Sequence, residues 1–175
     1  MSRKIEEAIR NLIKLDQELS QLQRTQKIRF IIFGGTAFLL ETEHRATWDV
    51  DIILLARVSS EEMRILNKND VNNNMQGLMQ VPPLDEIMAR MRPLNVTFQN
   101  IEVYLPHLHD LIFSKLLGRG DSRDIDDVVK SGILDKVDLN ELKEEYNDYV
   151  QYTLNPNRCP KIEEILSEYK SFKGQ

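Results

Sequence analysis

Two aspartates, Asp49 and Asp51, stand on either side of Val50 at the start of an apolar run that continues to Leu55. Because side chains alternate between the two faces of a β-strand, both carboxylates point one way and Val50 points into the core. Carboxylate oxygens, together with substrate phosphates, are the ligands that Mg²⁺ prefers. The spacing indicates a divalent-metal site, although an Asp-x-Asp pair alone is a weak signal because acidic residues are common at strand starts.

A pair of glycines, Gly34 and Gly35, follows the largely apolar run 28–33 and precedes the aspartates. Glycine lets backbone N–H groups approach a phosphate closely, so the pair is suited to a phosphate-binding turn. A plain strand-to-helix turn explains it equally well. We predict that the two glycines, Thr36 and Arg45 bind a nucleotide. For Arg45, a structural ion pair with the nearby aspartates is the alternative.

A lysine, Lys115, falls in the middle of the apolar face of a helix predicted over residues 107–118. A buried ammonium is costly without an anionic partner, so we expect it to meet a carboxylate or a substrate phosphate. The alternative is a side chain that reaches the edge of the face and keeps its charge in water. Asp124, or Asp127, on the next helix is the expected partner, although capping of the first helical turn is the default role for such carboxylates.

These residues must be positioned by an α+β fold, in which a small mixed sheet is flanked by helices and the C-terminal half is helical. A capping box of Ser59 and Glu62 opens one of the helices. We expect one compact unit, with an N-terminal helix and α/β core over 1–106 and a helical region over 107–175 packed on it. The predicted strands cover 28–33, 49–55 and a hairpin of 94–98 with 101–105. The predicted helices cover 2–23, 36–40, 59–66, 84–91, 107–118, 122–131, 138–151 and 160–171. The Asn-rich stretch 69–80 is predicted to be a loop or a weakly ordered segment.

Composition narrows the class of protein. The chain has 175 residues, 41% of them hydrophobic, which is enough for one buried core. A net charge of −5 argues against a protein that coats nucleic acid, and the lone Cys159 excludes an internal disulfide. No apolar stretch approaches the roughly 20 residues that span a bilayer, so we expect a cytoplasmic protein with no membrane association. His107 and His109 are expected on the surface.

Four motifs occur in order along the chain: Phe33-Gly34-Gly35, Arg45-x-Thr47-x-Asp49-Val50-Asp51-Ile52, Leu111-Ile112-x-x-Lys115-Leu116 and Arg123-Asp124-Ile125-x-Asp127-Val128. Together they resemble the minimal nucleotidyltransferases of the DNA polymerase β-like superfamily. The closest likeness is to the small prokaryotic branch that includes toxins of toxin–antitoxin systems. The resemblance covers about residues 28–132.

This resemblance implies a nucleoside triphosphate in the glycine-turn cleft, Mg²⁺ or Mn²⁺ on Asp49 and Asp51, and transfer of a nucleoside monophosphate to a hydroxyl of RNA or protein. It also implies a cognate toxin or antitoxin protein as a partner. The catalytic roles would fall on Asp49, Asp51, Lys115 and Asp124, with Asp127 as the alternative to Asp124. The nucleotide would contact Gly34, Gly35, Thr36, Arg45 and Lys115.

The chain departs from the pattern at a third carboxylate, which the superfamily usually places on a neighbouring strand after the Asp-x-Asp pair. Residues 56–100 offer no apolar strand centred on an acidic residue, and the Asn-rich stretch 69–80 lies where that strand is expected. Glu102 is the remaining candidate for the third carboxylate.

Two other functions are therefore open besides nucleotidyl transfer. The first is a catalytically impaired nucleotide-binding or regulatory module of a toxin–antitoxin-type pair. The second is a structural interaction domain in which Asp49 and Asp51 pair with Arg45 and Lys115.

Overall fold

The computed structural model describes residues 2–23, 25–44, 49–75 and 82–174. Over these residues, eight α-helices flank a five-stranded mixed sheet, which confirms the predicted α+β class. The helices are α1 (Arg3–Leu19), α2 (Gly34–Thr42), α3 (Ser60–Lys68), α4 (Leu84–Arg90), α5 (Leu108–Leu116), α6 (Ser122–Lys130), α7 (Leu139–Val150) and α8 (Ile162–Lys173). The strands are β1 (Ile28–Ile32), β2 (Val50–Leu54), β3 (Val71–Asn72), β4 (Arg92–Pro93) and β5 (Ile101–Leu105).

Strand β1 is the centre of the sheet, whose order is β3-β2-β1-β5-β4. It runs antiparallel to β2 and parallel to β5, while β3 is parallel to β2 and β4 antiparallel to β5. Phe30, Ile31 and Ile32 are fully buried, as expected for a central strand covered on both faces. The end of β1 therefore fixes where the turn into α2 meets the start of β2.

Two hydrogen bonds join that turn to β2. The backbone N–H of Phe33 donates to the carbonyl oxygen of Asp51 at 2.8 Å, which continues the antiparallel pairing past the end of β1. The hydroxyl of Thr36 donates to the carbonyl oxygen of Asp49 at 2.9 Å. These bonds hold the first turn of α2 against the strand that carries the two aspartates.

Helix α1 packs on the sheet through an apolar stripe, and a buried carboxylate fixes its position. Asp16 is 8% exposed and accepts hydrogen bonds from three consecutive backbone N–H groups, at 3.0 Å from Gln99, 2.6 Å from Asn100 and 3.1 Å from Ile101. A carboxylate in such a place satisfies donors that would otherwise be buried without partners.

The predicted hairpin of 94–98 with 101–105 is wrong in one of its strands. Residues 101–105 form β5, but its antiparallel partner is the two-residue β4, with Arg92 opposite Leu105 and Pro93 opposite Tyr104. The N–H groups at the predicted hairpin turn bond instead to Asp16 of α1, which lies far away in sequence. Antiparallel pairing with β5 is thus kept by residues 92–94, where the N–H of Leu94 donates to the carbonyl oxygen of Val103 at 2.8 Å, and the predicted turn is bound by a long-range partner.

The Asn-rich stretch 69–80, predicted as a loop, contains the edge strand β3. Val71 pairs with Val50 and Asn72 with Asp51 in parallel register, and Val71 is buried. Residues 76–80 of the stretch lie outside the described residues. The capping box at the start of α3 is confirmed, because Ser59 and Glu62 each accept a hydrogen bond from the other's backbone N–H.

His109 is buried at the start of α5, so its prediction as a surface residue is wrong. Its Nδ1 lies 3.1 Å from a carboxylate oxygen of Glu145, and Glu145 also pairs with Arg90 at 3.1 Å. Arg90 in turn pairs with the fully buried Asp110. His107 is exposed, as expected. This polar cluster connects α4, α5 and α7.

Within the described residues, no helix combines the length and apolar character needed to cross a bilayer. The division of the chain at residue 106 stays a prediction.

Replacing Asp16 by Ala should lower the free energy of unfolding by about 3 kcal/mol, because the N–H groups of Gln99, Asn100 and Ile101 lose their acceptor. Urea unfolding followed by circular dichroism measures the change. The control is Lys14→Ala on the same helix, where the side chain is 65% exposed and little change is expected. Equal effects of the two substitutions would contradict the assigned role of Asp16.

Candidate active site

A cavity of about 350 Å³ opens where the turn into α2, the start of β2, the end of β3 and helices α5 and α6 meet. Its volume lies in the range of small-molecule sites. Both predicted groups of residues, the strand aspartates with the glycine pair and the helical lysine with its aspartates, contribute to this one cavity. The lining residues are Gly34, Gly35, Asp49, Asp51, Asn74, Met75, Ser114, Lys115, Gly118, Arg119, Arg123, Asp124 and Asp127.

The contact between Gly34 and Asp51 shapes one wall of the cavity. Gly34 has φ +60°, a conformation that L side chains rarely adopt, and a Cβ built on it would lie 2.5 Å from the Oδ2 atom of Asp51. Only glycine leaves this carboxylate in place. Gly35 lies within the helical backbone of α2. The first glycine of the pair is thus required by the carboxylate beside it.

The electrostatics of Asp51 suit a cation. Burial raises the pKa of the Asp51 carboxyl above its ordinary value, and the neighbouring charge of Asp49 raises it further, while Lys115 and Arg119 act in the opposite direction. A cation beside two adjacent carboxylates relieves their repulsion. The donor set is the carboxylate of Asp49, directly before β2, and that of Asp51, within it, and both line the cavity. Such a set fits Mg²⁺ or Mn²⁺. Asp49 and Asp51 are the residues that would hold the ion.

Lys115 is buried between two carboxylates of the following helix. Its Nζ lies 2.8 Å from Asp124 and 2.9 Å from Asp127, and the residue is 9% exposed. The ammonium also lies 5.7 Å from the ring centroid of Phe38. This arrangement confirms the expected contact of Lys115 with the α6 carboxylates and not the alternative of a lysine that extends into water. The ion pairs of Lys115 are with these helical acids and not with Asp51.

Asp124 faces inward because a different aspartate caps α6. The side chain of Asp121 accepts a hydrogen bond from the backbone N–H of Asp124 at 2.9 Å, which is the N-cap contact. The carboxylate of Asp124 is then available to Lys115, and also to Arg119, whose Nε lies 3.3 Å away. The charge of Asp124 is the main cause that raises the pKa of Arg119 above its ordinary value.

Sequence reasoning missed several residues of this cavity. Arg119 stands between Gly118 and Gly120 in the α5–α6 connection, and its side chain is 65% exposed. Arg123 entered the motif comparison without a role, and Asn74 lay in a predicted loop. The sequence feature that could have indicated Arg119 is its position between two glycines, directly after the helix of Lys115.

Three residues predicted for the site are not among the described residues that line the cavity. Thr36 is buried, does not line the cavity and bonds to the carbonyl of Asp49, so its nucleotide-binding role stays a prediction. Arg45 lies outside the described residues. Glu102 is not the missing third carboxylate, because it lies on β5, on the far side of β1 from β2, and pairs with Arg29 at 3.1 Å.

Comparison with known families decides the class of the chain. A family described as nucleotidyltransferases of unknown function, DUF6036, matches residues 10–175. The chain belongs to this family. Membership in DUF6036 supports a general role in nucleotidyl transfer. No curated protein matches the chain, and no solved structure does either.

Replacing Gly34 by Ala should displace the Asp51 carboxylate and destabilise the fold by about 2 kcal/mol, because the added Cβ collides with Oδ2 and the backbone has positive φ. Thermal unfolding measures this loss. Gly35→Ala is the matched control, since alanine adopts its helical backbone readily. An alanine at Gly34 that left stability unchanged would show that the contact is not tight.

Proposed function

We propose that this DUF6036 chain is a divalent-metal-dependent nucleotidyltransferase that moves a nucleoside monophosphate from a nucleoside triphosphate to a hydroxyl of RNA or protein. The observation that carries the proposal is that Asp49, Asp51, Gly34 and Lys115 line one cavity although they come from separate parts of the chain. Family membership supports the general chemistry.

Asp49 and Asp51 would hold Mg²⁺ or Mn²⁺, which would neutralise the phosphates and align them for in-line displacement. The turn at Gly34 holds the Asp51 carboxylate against the start of α2, so this ligand would be preorganised. Such preorganisation is the main contribution that a protein makes to phosphoryl chemistry.

The triphosphate would bind at the start of α2 and against the cations opposite. An α-helix leaves its first N–H groups without partners inside the helix, and glycines at Gly34 and Gly35 allow phosphate oxygens to come close to them. Lys115 is a positive charge fixed by Asp124 and Asp127. In this proposal Asp124 positions Lys115 toward the phosphates, which gives both residues a role in transfer.

Arg119 supplies a second cation, which is held less closely than Lys115. Its contacts with Asp124, at 3.3 and 3.4 Å, are long for charge-assisted hydrogen bonds, and most of its side chain is in solvent. A guanidinium of this kind can exchange a weak ion pair for bidentate contact with phosphate oxygens. We assign it to the terminal phosphates of the triphosphate.

The acceptor and the biological setting come from the motif resemblance. Likeness to the toxin branch supports a cytoplasmic protein that acts on RNA or protein and binds a cognate toxin or antitoxin protein. Digesting the labelled product with ribonuclease or with protease identifies the acceptor.

A second function, a nucleotide-binding module without turnover, is favoured by one observation. The strand beside β2 carries an amide, Asn72, opposite Asp51, whereas the superfamily usually places a third carboxylate on a neighbouring strand. Such a module would be stabilised by Mg²⁺ with a nucleoside triphosphate but would transfer no label.

Asp49→Asn and Asp51→Asn should each reduce label transfer by more than about 100-fold, the upper end of what loss of an indirect metal contact costs. The assay incubates the chain with each α-³²P-labelled ribonucleoside triphosphate, Mg²⁺ and cell lysate, and counts acid-precipitable label. Asp148→Asn, an exposed aspartate on α7, is the control for charge and expression. Full transfer by either site variant would refute the metal assignment.

Arg119→Ala should weaken binding of the nucleoside triphosphate about tenfold and leave that of the monophosphate unchanged, because the guanidinium would contact terminal phosphates only. Isothermal titration calorimetry with both nucleotides measures the difference. Arg158→Ala removes an equally exposed arginine away from the cavity as a control. A parallel loss for both nucleotides would place Arg119 elsewhere.

A further inference from the structure

Strand β3, which pairs with β2 beside the aspartates, contains one asparagine, and others follow it. In β3, Asn72 is the parallel register partner of Asp51, and the preceding pair, Val50 with Val71, is buried. Neighbouring residues in register share a face of the sheet, so Asn72 lies on the face of Asp51. Two residues later, Asn74 lines the same cavity as both aspartates.

Asn73, which lies between Asn72 and Asn74, holds the stretch after β3 in place. The side-chain oxygen of Asn73 accepts a hydrogen bond from the backbone N–H of Leu54 at 3.2 Å. This contact ties the chain to the far end of β2 and fixes the path on which Asn74 reaches the cavity. The backbone at Asn74 is therefore positioned by the fold, and its exposed side chain lines the cavity.

The remaining carboxylates of the cavity are committed to cations. Asp124 and Asp127 lie within 2.9 Å of Lys115, and Asp124 also contacts Arg119. Among the described residues, no three side chains of histidine, cysteine, aspartate or glutamate are grouped so as to hold a metal ion. Within the part of the chain that the structure describes, the cavity thus offers a cation the carboxylates of Asp49 and Asp51, with the neutral amide of Asn74 on the same lining.

Two carboxylates are few for a free Mg²⁺, which demands six ligands and gives up its water reluctantly, but they suffice when substrate phosphates complete the shell. The arrangement therefore suits an ion that shares its ligands between protein and nucleotide.

We propose that Asn74, by standing where a carboxylate would add a third charge, keeps the affinity for a free divalent cation low, so that the cation binds together with the nucleotide. This inference rests on the proposed function for the identity of the phosphate ligand. The low affinity for the free ion depends on this chain's residues alone. Metal and nucleotide binding are then thermodynamically coupled, each strengthening the other.

The first experiment titrates the purified chain with Mn²⁺ alone and counts bound ions from the loss of the free-ion electron paramagnetic resonance signal. We expect Asn74→Asp to bind Mn²⁺ about tenfold more tightly than the natural chain, because each added carboxylate raises cation affinity. Asn73→Asp adds the same charge one residue away, where the side chain bonds to the Leu54 backbone, and should change affinity less than twofold. Equal tightening by both variants, or none by Asn74→Asp, overturns the inference.

Should Asn74→Asp fail to fold, Asn72→Asp makes the same test, because it places an acid beside Asp51 in register. Tighter Mn²⁺ binding by this variant than by Asn73→Asp supports the inference, and equal binding overturns it.

The second experiment measures thermal unfolding of the natural chain with Mg²⁺, with each ribonucleoside triphosphate, and with both. Stabilisation by the pair that exceeds the sum of the separate effects supports coupled binding, whereas Mg²⁺ alone stabilising as much as the pair overturns it. No stabilisation in any combination refutes the proposed function and the coupling. In that case tighter Mn²⁺ binding by Asn74→Asp would still establish the role of Asn74 at the cation site.

Discussion

The close contact between Gly34 and Asp51 is the constraint on which the candidate site depends. Antiparallel pairing of β1 and β2 continues through Phe33, so the chain turns into α2 directly against the carboxylate of Asp51. No side chain fits between them, since a Cβ would lie 2.5 Å from the carboxylate oxygen. The same contact brings the first turn of α2 and the two strand aspartates to one wall of the cavity. The glycine turn and the aspartate pair are thereby one structural unit.

The opposite wall is a cluster of buried charges whose members restrain one another. Lys115 loses most of its hydration on α5, and it is tolerated because Asp124 and Asp127 of α6 lie within 2.9 Å. Arg119 adds a further positive charge from the connection between these helices. A cluster of this kind contributes little net stability compared with apolar packing, but it holds an ammonium at a fixed place. Its value lies in keeping a charge oriented toward the cavity.

The sequence by itself determined the local features of the site and of the fold. Alternation along a strand predicts that Asp49 and Asp51 point the same way, and both line the cavity although β2 begins at Val50. Helical spacing places Lys115 among apolar neighbours, where a carboxylate or a substrate phosphate is the expected partner. The capping box at Ser59 and the extents of α4 to α8 followed from the same short-range rules. These features are predictable because residues within a few positions of each other fix them through backbone geometry and desolvation.

Only the tertiary structure decided the features that depend on residues distant in sequence. Asp16 of α1 accepts hydrogen bonds from the N–H groups of residues 99–101, and the strand that pairs with β5 is the short β4 and not the predicted 94–98. The edge strand β3 forms in a polar stretch because β2 supplies an unpaired edge beside it and Val71 finds a buried place, which brings Asn74 to the cavity. Local pattern carries no information about these contacts, because their free energy comes from groups that meet after the chain has folded.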